Sequence, residues 1–504
     1  MSDTATGPAA NRLPTSDGAQ SNVLGERRLT SIHAIGQSLA IGPMFSAGLL
    51  TGLVASVAGF NSPLSVLLGA IGALCLAYVI AFFARRYSGA GAVYEYLVHG
   101  AHPNVGVFFA GIYGLGVLFL GGGGIFIANG FLAQAFFQSH LSINIDWWVW
   151  GGLVMVIAIS LNHFGVRLAI GGVLALACVS AIPFLILAVS IIAQGGATGN
   201  TLSAFGTSQT SLNSVFKGIL FAVTLFIGFE AAASIGEESH DPHRSIPIAL
   251  IGCVAISSVF FLLVTYAGAI GFGVKGAATA WPADPSPMGT LAARYVGKGL
   301  STVIDLVVLL DSISVAIAFV VTGSRLFFAL ARDGLLPRAI ARTSARDTPI
   351  GGNAVILIAG VAALLFGALS TYGKAAGVPN EIEAFSISAG AGSFLIEAVY
   401  AALAVGALRL VWKAGGQARV WRLPVVLVGL ATPVLAYKGS LDPWPHYPGD
   451  LGAIFAGVGL IAVAVWFTYL RVRHAERVSL AAQHANVHHG IPPLDEELDF
   501  APAP

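Results

Sequence analysis

Four carboxylates interrupt long apolar runs of the 504-residue sequence: Glu230, Asp305, Asp311 and Glu397. A carboxylate in an apolar medium is expensive, so it persists where it is paired, handles a proton or holds a cation. Glu230 sits in the stretch IGFEAAASIG, from Ile227 to Gly236, bracketed by Gly228 and Gly236. It can bind a substrate amine, carry a coupling proton, or tie its helix to another by hydrogen bonds. Asp311 is the second candidate for proton handling, with an internally paired structural group as the alternative. Asp305 lies nearer one end of its run and Glu397 in the opposite half of its own, and both read as structural. Ser314, one turn from Asp311, is a candidate hydroxyl ligand for a small hard cation, although serine in a helix more often bonds the carbonyl four residues earlier.

A second set of interruptions is made of backbone. The stretch IGPMFSAG, from Ile41 to Gly48, combines permissive Gly42 with Pro43, which has no N–H. A broken helix offers N–H groups and the positive end of its dipole to an anion, and exposed carbonyls to an ammonium. The segments Gly42, Pro43, Met44, Phe45, Ser46 and Ile227, Gly228, Phe229, Glu230 are therefore the candidate substrate-binding residues, complementary to a zwitterionic amino acid. With Pro43 lacking a donor, carboxylate capture is expected from the N–H groups of Met44, Phe45 and Ser46. Phe45, Phe229 and Tyr113 are candidates for gating or for the walls of the site, against ordinary packing.

Positioning these residues falls to membrane-spanning helices. The composition is 56% hydrophobic and only 10% charged, against roughly 25% charged in soluble domains. Runs of about 20 apolar residues occur near 31–57, 63–84, 104–138, 147–164, 168–194, 214–236, 247–272, 301–331, 353–371, 382–408, 424–441 and 451–470. Twelve spans put both termini on one side. Nineteen of the 25 Lys and Arg residues then share the side of the termini, leaving Lys217, Lys275, Arg294, Lys298, Lys374 and Lys438 opposite, which predicts cytoplasmic termini and a plasma-membrane location. Residues 1–30 read as a disordered tail and 471–504 as a second tail, in which His484, His488 and His489 read as solvated rather than metal-binding.

Several function classes are excluded. There is no P-loop, no HExxH or GxSxG, and no loop long enough for a catalytic domain, so neither ATP-driven pumping nor enzymatic chemistry is expected. Cys75, Cys178 and Cys253 lie in apolar runs without metal-ligand or disulfide spacing, and no cofactor, metal or nucleic acid is expected. Gly121 to Gly124 in the third span reads as a site of close helix approach rather than a phosphate cradle. Glu237 and Glu238, at the end of the sixth span, face Arg244 and the arginines at neighbouring inner ends, Arg325 among them. This set reads either as a cytoplasmic gate whose ion pairs open and close, or as a solvated charged rim.

The sixth span is the first plus five, so a five-helix unit repeated after an odd number of crossings is inverted, and the two breaks meet near the midplane. Four motifs carry a resemblance over about residues 30 to 470: SGAGAVYEYL (Ser88 to Leu97), LNHFGVR (Leu161 to Arg167), GFEAAASIGEESHDPHRSIPIA (Gly228 to Ala249) and SRLFFALARDGLLP (Ser324 to Pro337) followed by Thr348 and Pro349. The chain resembles the amino acid-polyamine-organocation (APC) superfamily of permeases. The resemblance implies an all-α membrane fold with a 5+5 inverted repeat, broken helices one and six, and spans eleven and twelve (409–470) peripheral to a ten-helix core at 31–408. It implies a secondary active transporter of amino acids or related amines working by alternating access. Proton coupling is expected because Glu230 and Asp311 supply carboxylates. Exchange or sodium coupling is the alternative, and a non-transporting membrane sensor a more distant one. Many relatives read Gly-Ser/Ala-Gly at the first break, so Gly42-Pro43-Met44 is a departure that bears on substrate class. Partners are a small-molecule substrate, protons or sodium, and lipid.

Overall fold

The structure is a computed structural model that describes residues 29–39, 42–87, 89–164, 166–207, 209–370, 377–414 and 416–478. The tails at 1–28 and 479–504, with His484, His488 and His489, lie outside the described residues, as do Ile41, Ser88, Gly165 and the side chain of Arg167. Seventeen α-helices are described: α1 (Ser31–Ser38), α2 (Pro43–Phe45), α3 (Thr51–Ala58), α4 (Ser62–Ala84), α5 (Val93–Gly100), α6 (Pro103–Val117), α7 (Ile125–Leu141), α8 (Trp147–Phe164), α9 (Val166–Gln194), α10 (Leu212–Thr224), α11 (Pro242–Ala283), α12 (Pro287–Tyr295), α13 (Lys298–Arg332), α14 (Ile350–Leu369), α15 (Asn380–Ala414), α16 (Gly416–Leu441) and α17 (Gly449–Arg473).

Eleven of the described helical stretches are long and apolar enough to cross a membrane. The first, Ser31–Ala84, runs 54 residues, whereas a bilayer needs about 20. It is divided at Gly59, whose φ of 52° and ψ of −127° start a short turn through Asn61, and α3 then packs back on α4. Dividing the first stretch there gives twelve candidate spans among the described residues. The seventh also ends where expected: α11 continues to Ala283 in hydrogen bonding, but Gly273 at φ 75° and ψ 172° turns the chain out of the span.

The two expected breaks are present. Span one is α1, then α2 beginning at Pro43, then a π turn over Ser46–Leu50 leading into α3. Gly42 holds φ 60° and ψ 71°, and a side chain there would collide with Val315 on α13. Span six is α10, a turn, then a 3-10 helix over Phe229–Ile235, with Gly228 at φ 110°. Side chains cannot adopt these values cheaply, so both hinges require glycine. Span three has a π turn at Leu118–Gly124, and a side chain at Gly121 would strike the Phe319 ring on α13. The Gly121 to Gly124 run is thus a close-approach surface.

Spans one, six and eight are laced together by buried polar contacts. Ser38 Oγ donates to the Phe229 carbonyl at 3.0 Å, and Gln37 Nε2 donates to the Ala318 carbonyl and to Thr322 Oγ1, both at 3.0 Å. Inside a bilayer such bonds supply specificity that apolar contact cannot, because lipid is as apolar as the core. Apolar side chains of α17 such as Ile461 and Val465 are about two-thirds exposed (67% and 65%), as suits contact with lipid.

Candidate functional site

At the first break, Pro43 opens the second half-helix without a donor of its own, and Ser46 N–H closes the turn on the Gly42 carbonyl at 2.7 Å. The next two donors, Met44 N–H and Phe45 N–H, both point to Asp311 Oδ2 at 2.9 Å. Asp311 is almost fully enclosed on α13, so the N–H groups read from the sequence as a carboxylate receptor already hold a carboxylate from the chain itself.

At the second break Gly228 N–H donates to Glu230 Oε2 at 3.1 Å, and Tyr400 of α15 donates its hydroxyl to the same oxygen at 2.5 Å. The Tyr113 hydroxyl faces this carboxyl group from α6, and the Phe229 ring lies 5.8 Å from that of Tyr400. Glu230 is therefore tied to spans three and ten, while the link from span six to span one runs through Ser38 and the Phe229 carbonyl. The residues Gly42, Pro43, Met44, Phe45, Ser46, Ile227, Phe229 and Glu230 are all buried.

Ser314 bonds the Leu310 carbonyl of its own helix at 3.2 Å. Asp305 has its own structural partners: Ser286 Oγ, and His140 Nε2 at 3.1 Å. Glu397 is buried on α15 one turn before Tyr400, near Tyr437 of α16.

The arginine-rich end carries a second constellation. Arg325, fully enclosed, donates Nε to Glu238 Oε2 at 2.6 Å and Nη2 to Glu238 Oε1 at 3.0 Å, and its Nη1 reaches Asn162 Oδ1 at 3.4 Å. Asn162 also bridges Ser324 Oγ and Asn353 Oδ1 at 3.1 and 2.8 Å. Glu237 pairs with Arg332 at 2.8 Å and accepts the Ala90 N–H at 3.1 Å. Arg332 also lies 3.9 Å from Glu95, and Tyr94 donates its hydroxyl to Asp333 at 2.9 Å. Leu29 adds a backbone clasp: its N–H donates to the Glu238 carbonyl, and its carbonyl accepts the His240 N–H, both at 2.9 Å. Arg244 is exposed and takes no part in these pairs.

All four quoted motifs supply members of this one cluster. Arg332 was legible, standing two turns after Arg325 on one helix as Glu237 stands beside Glu238. Tyr400 carried no such signal, for nothing near it in sequence marks it as a partner for residue 230. Burial pushes the Asp333 carboxyl up to about 7, with Arg332 pulling in the opposite direction. Burial likewise raises the hydroxyls of Tyr94 and Tyr96.

Comparison with known proteins agrees with this geometry. Residues 37–450 match the family described as amino acid permease. The chain is 24% identical over 458 residues to the branched-chain amino acid permease of Lactococcus lactis, covering 86% of this chain and 92% of that one. It is 30% identical to the D-serine/D-alanine/glycine transporter of Escherichia coli over 165 residues, 32% of this chain and 34% of that one. A crystal structure of the Eremococcus coleocola manganese transporter shares the fold with a TM-score of 0.54 at 14% identity, over 90% of this chain and 95% of that one. With the breaks and the motif cluster in place, the chain belongs to the amino acid permease family, as a multi-pass secondary transporter of amino acids or related amines rather than an enzyme.

Proposed function

We propose that the substrate is carried between the two breaks, from Gly42 to Ser46 and from Ile227 to Glu230, with protons as the coupling ion. The observation that carries this reading is a buried carboxylate on the backbone donors of each break: Asp311 on Met44 and Phe45, Glu230 on Gly228. In this mechanism a proton arriving at either carboxyl weakens its hold on those donors and frees the half-helix to move, which links proton entry to alternating access. Ser314 donates its hydroxyl hydrogen to the Leu310 carbonyl and keeps its oxygen lone pairs, so sodium coupling is the alternative that the experiment must separate. Residues 31–408 form the transport core, 409–470 the peripheral pair, and both termini face the cytoplasm of a cell whose plasma membrane the chain spans. The Arg325–Glu238 and Arg332–Glu237 pairs are then the cytoplasmic gate, closed here.

The test is uptake by proteoliposomes of an amino acid and amine panel under a proton gradient, a sodium gradient or neither. Accumulation under the proton gradient alone supports the reading. Accumulation that needs sodium moves the coupling site to Ser314 and the carbonyls of the first break.

A further inference from the structure

We propose that this permease selects amines that lack a carboxylate, because its own Asp311 takes the backbone donors with which the first break would hold one. The inference rests on the reading above that substrate lies between the breaks. Binding a carboxylate at a broken helix needs N–H groups free to receive it. Pro43 has none, Met44 and Phe45 are taken by Asp311, and Ser46 is taken by the Gly42 carbonyl. At the second break the Gly228 N–H is taken by Glu230, the Phe229 N–H by the Phe226 carbonyl and the Ala231 N–H by the Gly228 carbonyl. The hydroxyls are engaged too, Ser38 by the Phe229 carbonyl and Tyr400 by Glu230. While Asp311 and Glu230 hold these donors, a carboxylate entering here meets two carboxyl groups and none of the donors vacant, so its desolvation goes uncompensated.

Acceptors, by contrast, are left over. Both bonds to Asp311 fall on Oδ2, and Oδ1 receives none among the described residues. Gln37 Oε1 is also buried and unpartnered, but it lies beside Ala318 and Thr322, two to three turns along α13 from Asp311. The Phe229 and Tyr400 rings stand beside Glu230, and aromatic faces attract an ammonium. Asp311 thus supplies from within the chain the negative group that an amino acid would bring, and leaves a site for a primary mono- or diamine.

The experiment is counterflow into proteoliposomes of the full chain with matched pairs that differ only in the carboxylate: leucine and isopentylamine, lysine and cadaverine, tyrosine and tyramine. Leucine methyl ester, of similar bulk without the charge, separates charge from size. The expected result is uptake of the amines and the ester at least about tenfold faster than the parent amino acids. Asp311→Gly, which frees Met44 and Phe45, is expected to move that preference toward the amino acids by a similar factor. Preference of the wild-type chain for the parent amino acids overturns the inference while leaving the substrate site standing, and it decides the matter even where Asp311→Gly fails to fold. Uptake of no member of any pair overturns the site reading and this inference together.

Discussion

Arg325 and Glu238 form a two-point ion pair, at 2.6 and 3.0 Å, in which the arginine is wholly enclosed between spans six and eight. Two parallel N–H to oxygen bonds fix both groups in one orientation, a geometry lysine cannot reproduce. Removing one partner of a buried pair strands the other. Arg325→Met is therefore expected to cost about 3 to 5 kcal/mol of stability, and Arg325→Met with Glu238→Leu to recover most of it. Melting of the detergent-solubilised protein checks this, and an unchanged midpoint in the single variant would show the pair to be dispensable.

Glu230→Gln keeps the shape that Tyr400 and Gly228 grip but cannot release a proton. Proton-driven accumulation is expected to fall by at least about tenfold and to lose its pH dependence, while exchange of substrate for substrate persists. Wild-type accumulation with wild-type pH dependence in the variant would take the coupling role from Glu230.

Asp333 is faced by Tyr94, Glu95, Glu237 and Arg332. Its folded-state value of about 7 stands above the ordinary value of 3.8. The folded state therefore binds the proton more tightly than the unfolded chain. This contribution to stability is full below about pH 4 and is lost as the pH rises through about 7. Asp333→Asn is neutral throughout and should flatten the fall in melting temperature between about pH 5 and pH 8. The same fall in both proteins would assign it to other groups.

Gly42 faces two constraints, a left-handed backbone and the Val315 side chain. Gly42→Ala should abolish uptake, and Gly42→Ala with Val315→Ala should relieve the collision yet leave a backbone cost of about 1 to 2 kcal/mol. Full recovery of uptake in the double variant would reduce the requirement for glycine to space alone.

The residues of the Leu29 clasp illustrate where sequence reading stops. Leu29 falls in a polar stretch read as tail, yet it is buried and paired on both sides with the chain around Ser239. Hydropathy averages over many residues and is blind to a single backbone pairing made across 210 positions.

From the sequence alone, the crossings, the two glycine hinges and the carboxylates beside them were all legible. Each reports a local cost: an apolar run must match the bilayer, a backbone break must be tolerated, and a buried charge must be compensated. The form of that compensation was decided by tertiary structure. That Asp311 meets Met44 and Phe45 across more than 260 residues, that Tyr400 meets Glu230, and that Arg332 meets Glu237 depend on how long helices cross and rotate. A small change in helix rotation would give each carboxylate a different partner at nearly the same local cost, so only the packed bundle determines which donors remain for a substrate.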